Sequence, residues 1–231
     1  MTSITAYEPG ASQLLMGNEA IARGALEAGL GFASAYPGTP SSEILGSLAE
    51  VAGEMDIHVE WSVNEKVALE AAAAASFAGV RAIVAMKQNG LNVASDFLMN
   101  LNLTGTNAGL VLVLCDDPSA LSSTNEQDSR PIAKWAELPL LEPATFQEAM
   151  DMTKWAFELS EEIKNVCLIR SVTRVSHARG DVRLGELVPP SRQARFAPTA
   201  LGQFTPYLVS LKHTLLHQKV NKTRGLFESS P

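Results

Sequence analysis

Two cysteines, Cys115 and Cys167, are all that the 231 residues contain. Two thiols are too few for an iron–sulfur cluster, which takes about four ligands. Both stand inside apolar, strand-like runs, LVLVLCDD and NVCLIR, and read as buried free thiols of a reducing compartment. Long apolar stretches are missing as well. Residues 71–75 and 110–115 are the longest, far short of the roughly 20 residues of a membrane-spanning helix. No basic stretch followed by an apolar core opens the chain, so no secretory signal is expected and the placement is cytoplasmic. G-x-S-x-G, G-x-G-x-x-G and Walker-type loops are all absent, which removes the hydrolase elbow and the common nucleotide cradles. The four histidines are scattered, and only His213 and His217 share a helical spacing. That pair has no accompanying carboxylate in sequence and reads as a solvated helix face, with no metal expected.

What is present is apolar bulk: 46% of residues are apolar and 19% charged, which suits one sizeable core rather than a disordered chain. The net charge of −7 is unevenly placed. Residues 1–169 carry 8 basic and 22 acidic side chains, whereas residues 170–231 carry 10 and 3. An acidic body argues against nucleic-acid binding, and a basic tail suits either solvent or an acidic partner surface.

Apolar spacing predicts helices over 12–28, 40–52, 65–77, 91–103 and 145–163. Between them, GFASAY, DIHVEW, RAIVAM, GLVLVLC and NVCLIR read as strands, the last being the final strand of the core. Strands alternating with helices imply an α/β fold, a parallel sheet with helices on both faces. The expected organisation is an arm over 1–10, a core domain over 11–178 and a basic, proline-containing extension over 179–231, with a short helix near 207–219.

Ligands of open parallel sheets bind outside the carboxyl ends of the strands. Four polar segments fall there: residues 36–42, 62–65, 87–90 and 116–130. In the first, Thr39 and Pro40 suit a helix cap and first helical position, and the same helix start suits an anionic ligand near Ser41 and Ser42. In the second, Ser62 and Glu65 have the spacing of a capping box, which explains the glutamate without any ligand.

The stretches GNEAIARGALEAG, AYPGTPSSEI, EWSVNEKVALEAAAAASFAG, MKQNGLNVASDFLMN and DDPSALSSTNEQDSR, over roughly residues 14–175, resemble the pyrimidine-binding domain of thiamine-diphosphate-dependent 2-oxoacid:ferredoxin oxidoreductases, and within them the indolepyruvate branch. The resemblance implies an enzyme subunit for oxidative decarboxylation of a 2-oxoacid such as indolepyruvate. Glu65 would face the aminopyrimidine as the catalytic residue. Thr39, Ser41 and Arg130 would meet substrate, and Tyr36, Pro37, Gly38, Gln88, Asn89 and Gly90 would line the cofactor. Gln88 stands where the family pattern has histidine. The G-D-G or G-D-S motif that binds diphosphate and Mg²⁺ in this family is absent from these residues. Those groups and the iron–sulfur clusters are therefore expected on a partner chain of a hetero-oligomer that reduces ferredoxin or a similar acceptor. A non-oxidative decarboxylase subunit and a non-catalytic assembly subunit keep the same fold and stay open as alternatives.

Overall fold

The computed structural model describes all residues except 1–3, 6–7, 197, 199–200 and 231. Half of the expected N-terminal arm and part of the expected linker thus lie outside the described residues. The elements run β1 (Ser12–Met16), α1 (Gly17–Glu27), β2 (Phe32–Ala35), α2 (Ser42–Glu50), α3 (Ala52–Met55), β3 (His58–Trp61), α4 (Glu65–Phe77), β4 (Ala82–Lys87) and α5 (Gln88–Thr104). They continue with β5 (Leu110–Asp116), α6 (Arg130–Trp135), β6 (Leu140–Leu141), α7 (Phe146–Ile163), β7 (Cys167–Val172), α8 (Thr173–His177), β8 (Arg179–Arg183) and α9 (Val209–Glu228).

Six strands form a parallel sheet in the order β3-β2-β4-β5-β7-β6. Its central strands are apolar without alternation because both faces are covered. Ile83, Ala85, Val111, Val113, Cys115, Cys167 and Ile169 point into one core beneath α1, α2 and α7. Their neighbours Ala82, Val84, Met86, Leu110, Leu112, Leu114 and Leu168 point into the other, beneath α4 and α5. Period-two side-chain direction thus divides one continuous apolar run between two cores. Both cysteines are fully buried and free, and burial pushes the Cys115 thiol up to about 12 and the Cys167 thiol upward as well.

The helix expected over 12–28 divides in two. Residues 12–16 are the strand β1, which pairs antiparallel with β8, and the helix begins only at Gly17. Exposed and buried residues alternate along β1, so a period of two was present there and was absorbed into the helical reading of the following residues. NVCLIR is consequently not the last strand: β8 follows it and completes a two-stranded ribbon. Arg23, fully buried in α1, ties this ribbon to the body. It pairs with Glu27 at 2.8 Å and donates to the carbonyls of Ile4 and Gly185. Gly24 lets α1 lie directly on α7, since a Cβ there would come within 2.4 Å of the Met150 carbonyl oxygen.

The C-terminal helix is longer than expected, with 20 residues in α9. It packs on α5 and α7, burying Leu216, while Phe204 before it meets Phe77 edge-on and Phe97 at a tilt. No helix among the described residues is long and apolar enough to cross a membrane.

Candidate cofactor site at the carboxyl edge of the sheet

The strand order places the ends of β3, β2, β4 and β5 side by side, so all four polar segments meet along one edge. After β2 the chain turns through residues 36–41. The Ser41 hydroxyl donates to the Gly38 carbonyl at 2.7 Å, and the Gly38 N–H donates to the Ser42 hydroxyl at 2.9 Å. The helix starts at Ser42 with Ser41 before it, not at Pro40 with Thr39 as cap, and the Thr39–Pro40 peptide is cis. Ser41 is 1% exposed, and its hydroxyl bonds within the turn. Asn18, buried in the first turn of α1, holds the loop from below by donating to the Pro40 carbonyl at 2.7 Å and to Glu43 at 2.9 Å. Sequence reasoning missed Asn18.

The capping box expected at Ser62 is not formed. Asn64 caps α4, its side chain accepting from the Val67 N–H at 2.9 Å, and Glu65 is the first helical residue. Asn is as good a cap as Ser, so a shift of two positions follows from the choice between two adequate caps. The consequence is large: Glu65 is released from capping. Its side chain is largely buried and lies against Gly90, where a Cβ would come within 2.4 Å of Glu65 Cγ and 2.5 Å of Oε1. Gly90 therefore belongs to the Glu65 pocket, because any larger residue would occupy the space of the carboxyl group.

β4 ends at Lys87, which precedes α5. The Lys87 ammonium donates to the Ser122 carbonyl at 3.0 Å, and its stem lies against Gly38. The amides of Gln88 and Asn89 make long contacts of 3.4 Å to the Asn125 carbonyl and the Thr124 hydroxyl. Gln88 Oε1, Asn89 Oδ1 and Ser62 Oγ are all buried without a hydrogen-bond partner among the described residues. A buried polar atom left unpaired costs about 1–3 kcal/mol, so three along one edge mark a place where a ligand can complete the bonding. The Glu65 carboxyl group and the two amide oxygens offer a proton-holding group and acceptors, the functions that a polar heterocyclic ring with donors and acceptors on its rim would use.

Arg130 lies elsewhere. It opens α6 and grips Asp128, with Nε at 2.9 Å and a terminal nitrogen at 2.7 Å from Oδ2. That pair joins a polar cluster after β5. Arg170 donates to Asp116 at 2.6 Å and to Glu142 at 2.7 Å, and the Ser129 N–H donates to Asp116 at 2.9 Å. Asp117 accepts from Ser122, Ser123 and Thr173. Burial pulls the Asp117 carboxyl up, yet these donors outweigh it and leave it below the ordinary carboxylate range. Arg130, bound to Asp128, holds that carboxyl down to about 2, against the opposing effect of burial.

An open parallel sheet with a buried carboxyl group and unpaired polar atoms at its carboxyl edge defines a cofactor-binding α/β domain. Residues 23–223 match the family described as pyruvate flavodoxin/ferredoxin oxidoreductase, thiamine diphosphate-binding, and the chain belongs to that family. An indolepyruvate oxidoreductase subunit IorA of Pyrococcus abyssi is 47% identical over all of this chain and 37% of its own length. The subunit of the same name from Methanothermobacter marburgensis is 55% identical over 74% of this chain and 28% of its own. A 2-oxoglutarate synthase subunit KorA of the latter organism is 31% identical over 84% and 53%. Among solved structures, a 2-oxoglutarate:ferredoxin oxidoreductase from Magnetococcus marinus shares the fold at a TM-score of 0.75. It is 18% identical and covers 97% of this chain and 46% of its own. The chain thus spans between 28% and 37% of the length of the indolepyruvate relatives it matches.

Proposed function

We propose that this chain supplies the aminopyrimidine-binding half of a thiamine diphosphate site in a 2-oxoacid:ferredoxin oxidoreductase acting on an aryl substrate such as indolepyruvate. The observation that carries the reading is Glu65, a buried carboxyl group freed from capping and set against Gly90, with unpaired polar atoms on the same edge. The chemistry that thiamine diphosphate supplies when bound is a nucleophilic carbon and an electron sink for loss of CO₂ from a 2-oxoacid. Glu65 would hold a proton at its carboxyl oxygen toward the pyrimidine ring nitrogen, the acid–base contact that the cofactor needs from protein. Gln88 and Asn89 would complete the ring's hydrogen bonds, and Tyr36, Pro37 and Gly38 would form the neighbouring wall. Thr39, Ser41 and Arg130 would be the residues that meet the 2-oxoacid, Ser41 and Arg130 from the loops that their present bonds shape.

The diphosphate, its Mg²⁺ and the iron–sulfur clusters would be held by a second domain or partner chain, which passes electrons to ferredoxin. Tyr36, Trp61, Val63 and Val67 favour such a partner, since all four are large, exposed and apolar at this edge. The test is ferredoxin reduction by the native complex, loaded with thiamine diphosphate and supplied with 2-oxoacids in turn. Reduction with indolepyruvate, lost when the cofactor is removed, is expected. No reduction with any 2-oxoacid from a cofactor-loaded complex overturns the proposal.

A further inference from the structure

The tail histidines, read from sequence as a pair without a carboxylate, acquire one through the fold. Glu137 follows the last turn of α6 with a positive φ of 56°, which lifts its side chain toward α9. His213 Nε2 lies 2.9 Å from one of its carboxylate oxygens and His217 Nε2 lies 3.0 Å from the other. The two rings are 4.5 Å apart at their centroids, as two residues one helical turn apart allow. One ligand atom from each of the three residues lies within 4.8 Å of the others.

We infer that Glu137, His213 and His217 form a three-ligand site for a borderline divalent transition-metal ion of the Zn²⁺ class, which clips the C-terminal helix to the body of the domain. Imidazole with carboxylate is a donor set that such ions take, and calcium or magnesium would ask for oxygens alone. Metal–ligand bonds of about 2.0–2.1 Å at tetrahedral angles separate donor atoms by about 3.3 Å, so the two histidine–carboxylate contacts, at 2.9 and 3.0 Å to different oxygens, would open slightly while the remaining donor separations, all within 4.8 Å, adjust around one shared oxygen. On binding, both Nε2 atoms act as lone-pair donors, with the ring protons carried on Nδ1. Three protein ligands leave a fourth position for water. Because His213 and Glu137 are 76 residues apart, the ion would close a long loop and stabilise the seating of α9.

The experiment is calorimetric titration of Zn²⁺ into the chelator-stripped chain and into two variants, the double substitution His213→Ala/His217→Ala and Glu137→Gln. Both histidine rings are more than half exposed, so folding should survive, which circular dichroism checks. One Zn²⁺ per chain is expected in the wild type, together with a Zn²⁺-dependent rise in melting temperature. The double variant should lose at least the roughly 10–100-fold in affinity that even an outer-shell partner contributes. Wild-type binding no tighter than that of the double variant overturns the site. Glu137→Gln binding like wild type overturns the three-ligand assignment.

Discussion

Two polar clusters share the carboxyl edge of one sheet, and they are finished to different degrees. After β5 and β7, Asp116, Asp117, Ser129, Thr173 and Arg170 donate and accept among themselves in a closed network. After β3 and β4, Glu65 and Gln88 are buried and Ser62 and Asn89 partly so, with three buried oxygen atoms unpaired. Burial alone does not separate a structural cluster from a binding site. Satisfaction does, because a folded chain gains nothing from desolvating groups it leaves without partners. The closed cluster braces the edge, and the open one carries the unpaired oxygens on which the proposed cofactor site rests.

The largest effect that would sharpen this contrast is on chemistry. Glu65→Gln keeps the size of the side chain, yet turnover of the complete complex should fall by the ~10²–10⁴-fold typical of a lost acid–base group, with melting temperature unchanged. Steady-state kinetics beside cofactor content checks this; near-normal turnover would move Glu65 into the structural class. Arg170→Met should do the reverse. It leaves Asp116 buried and uncompensated, at a cost of about 3–5 kcal/mol in denaturant unfolding. A variant of wild-type stability would show that the second cluster is not a brace. Gln88→Met tests the open cluster from the stability side. Removing an unpaired buried oxygen should raise the stability of the cofactor-free chain by up to about 1 kcal/mol while weakening cofactor binding. Loss of stability there would mean that Gln88 is already satisfied in solution.

The smallest effect concerns pH. Asp128 has its carboxyl lowered from 3.8 to about 2, so its contribution is complete above about pH 4 and is lost as pH falls toward 2. Asp128→Asn should therefore cost no more than about 1 kcal/mol at neutral pH, as befits a half-exposed pair, and should flatten the acid limb of the stability curve. An unchanged acid limb would remove the Arg130–Asp128 pair from the brace.

Much of the fold was legible because its signals are local. The run LVLVLC reads as a doubly buried strand, and EKVALEAAAAASF forms α4 over the residues the spacing indicated. Where reading failed, two local signals competed. β1 was merged into α1 because five alternating residues precede eleven helical ones without a glycine or proline before Gly17. Ser62 was preferred to Asn64 because the capping-box pattern is written in sequence, whereas the backbone geometry that selects the cap is not.

By itself the sequence determined the alternation of strands and helices, the burial of both cysteines, and the segments that end the strands, since periodicity and turn chemistry act over a few residues. Only the tertiary structure decided which segments touch. The order β3-β2-β4-β5 set Glu65 against Gly90 and Lys87 against Gly38, and the pairing of β5 with β7 set Arg170 against Asp116. The docking of α9 brought Glu137 to His213 and His217 across the longest of these separations. Contacts of that kind depend on packing areas and strand order summed over the whole chain, and no short stretch of residues encodes them.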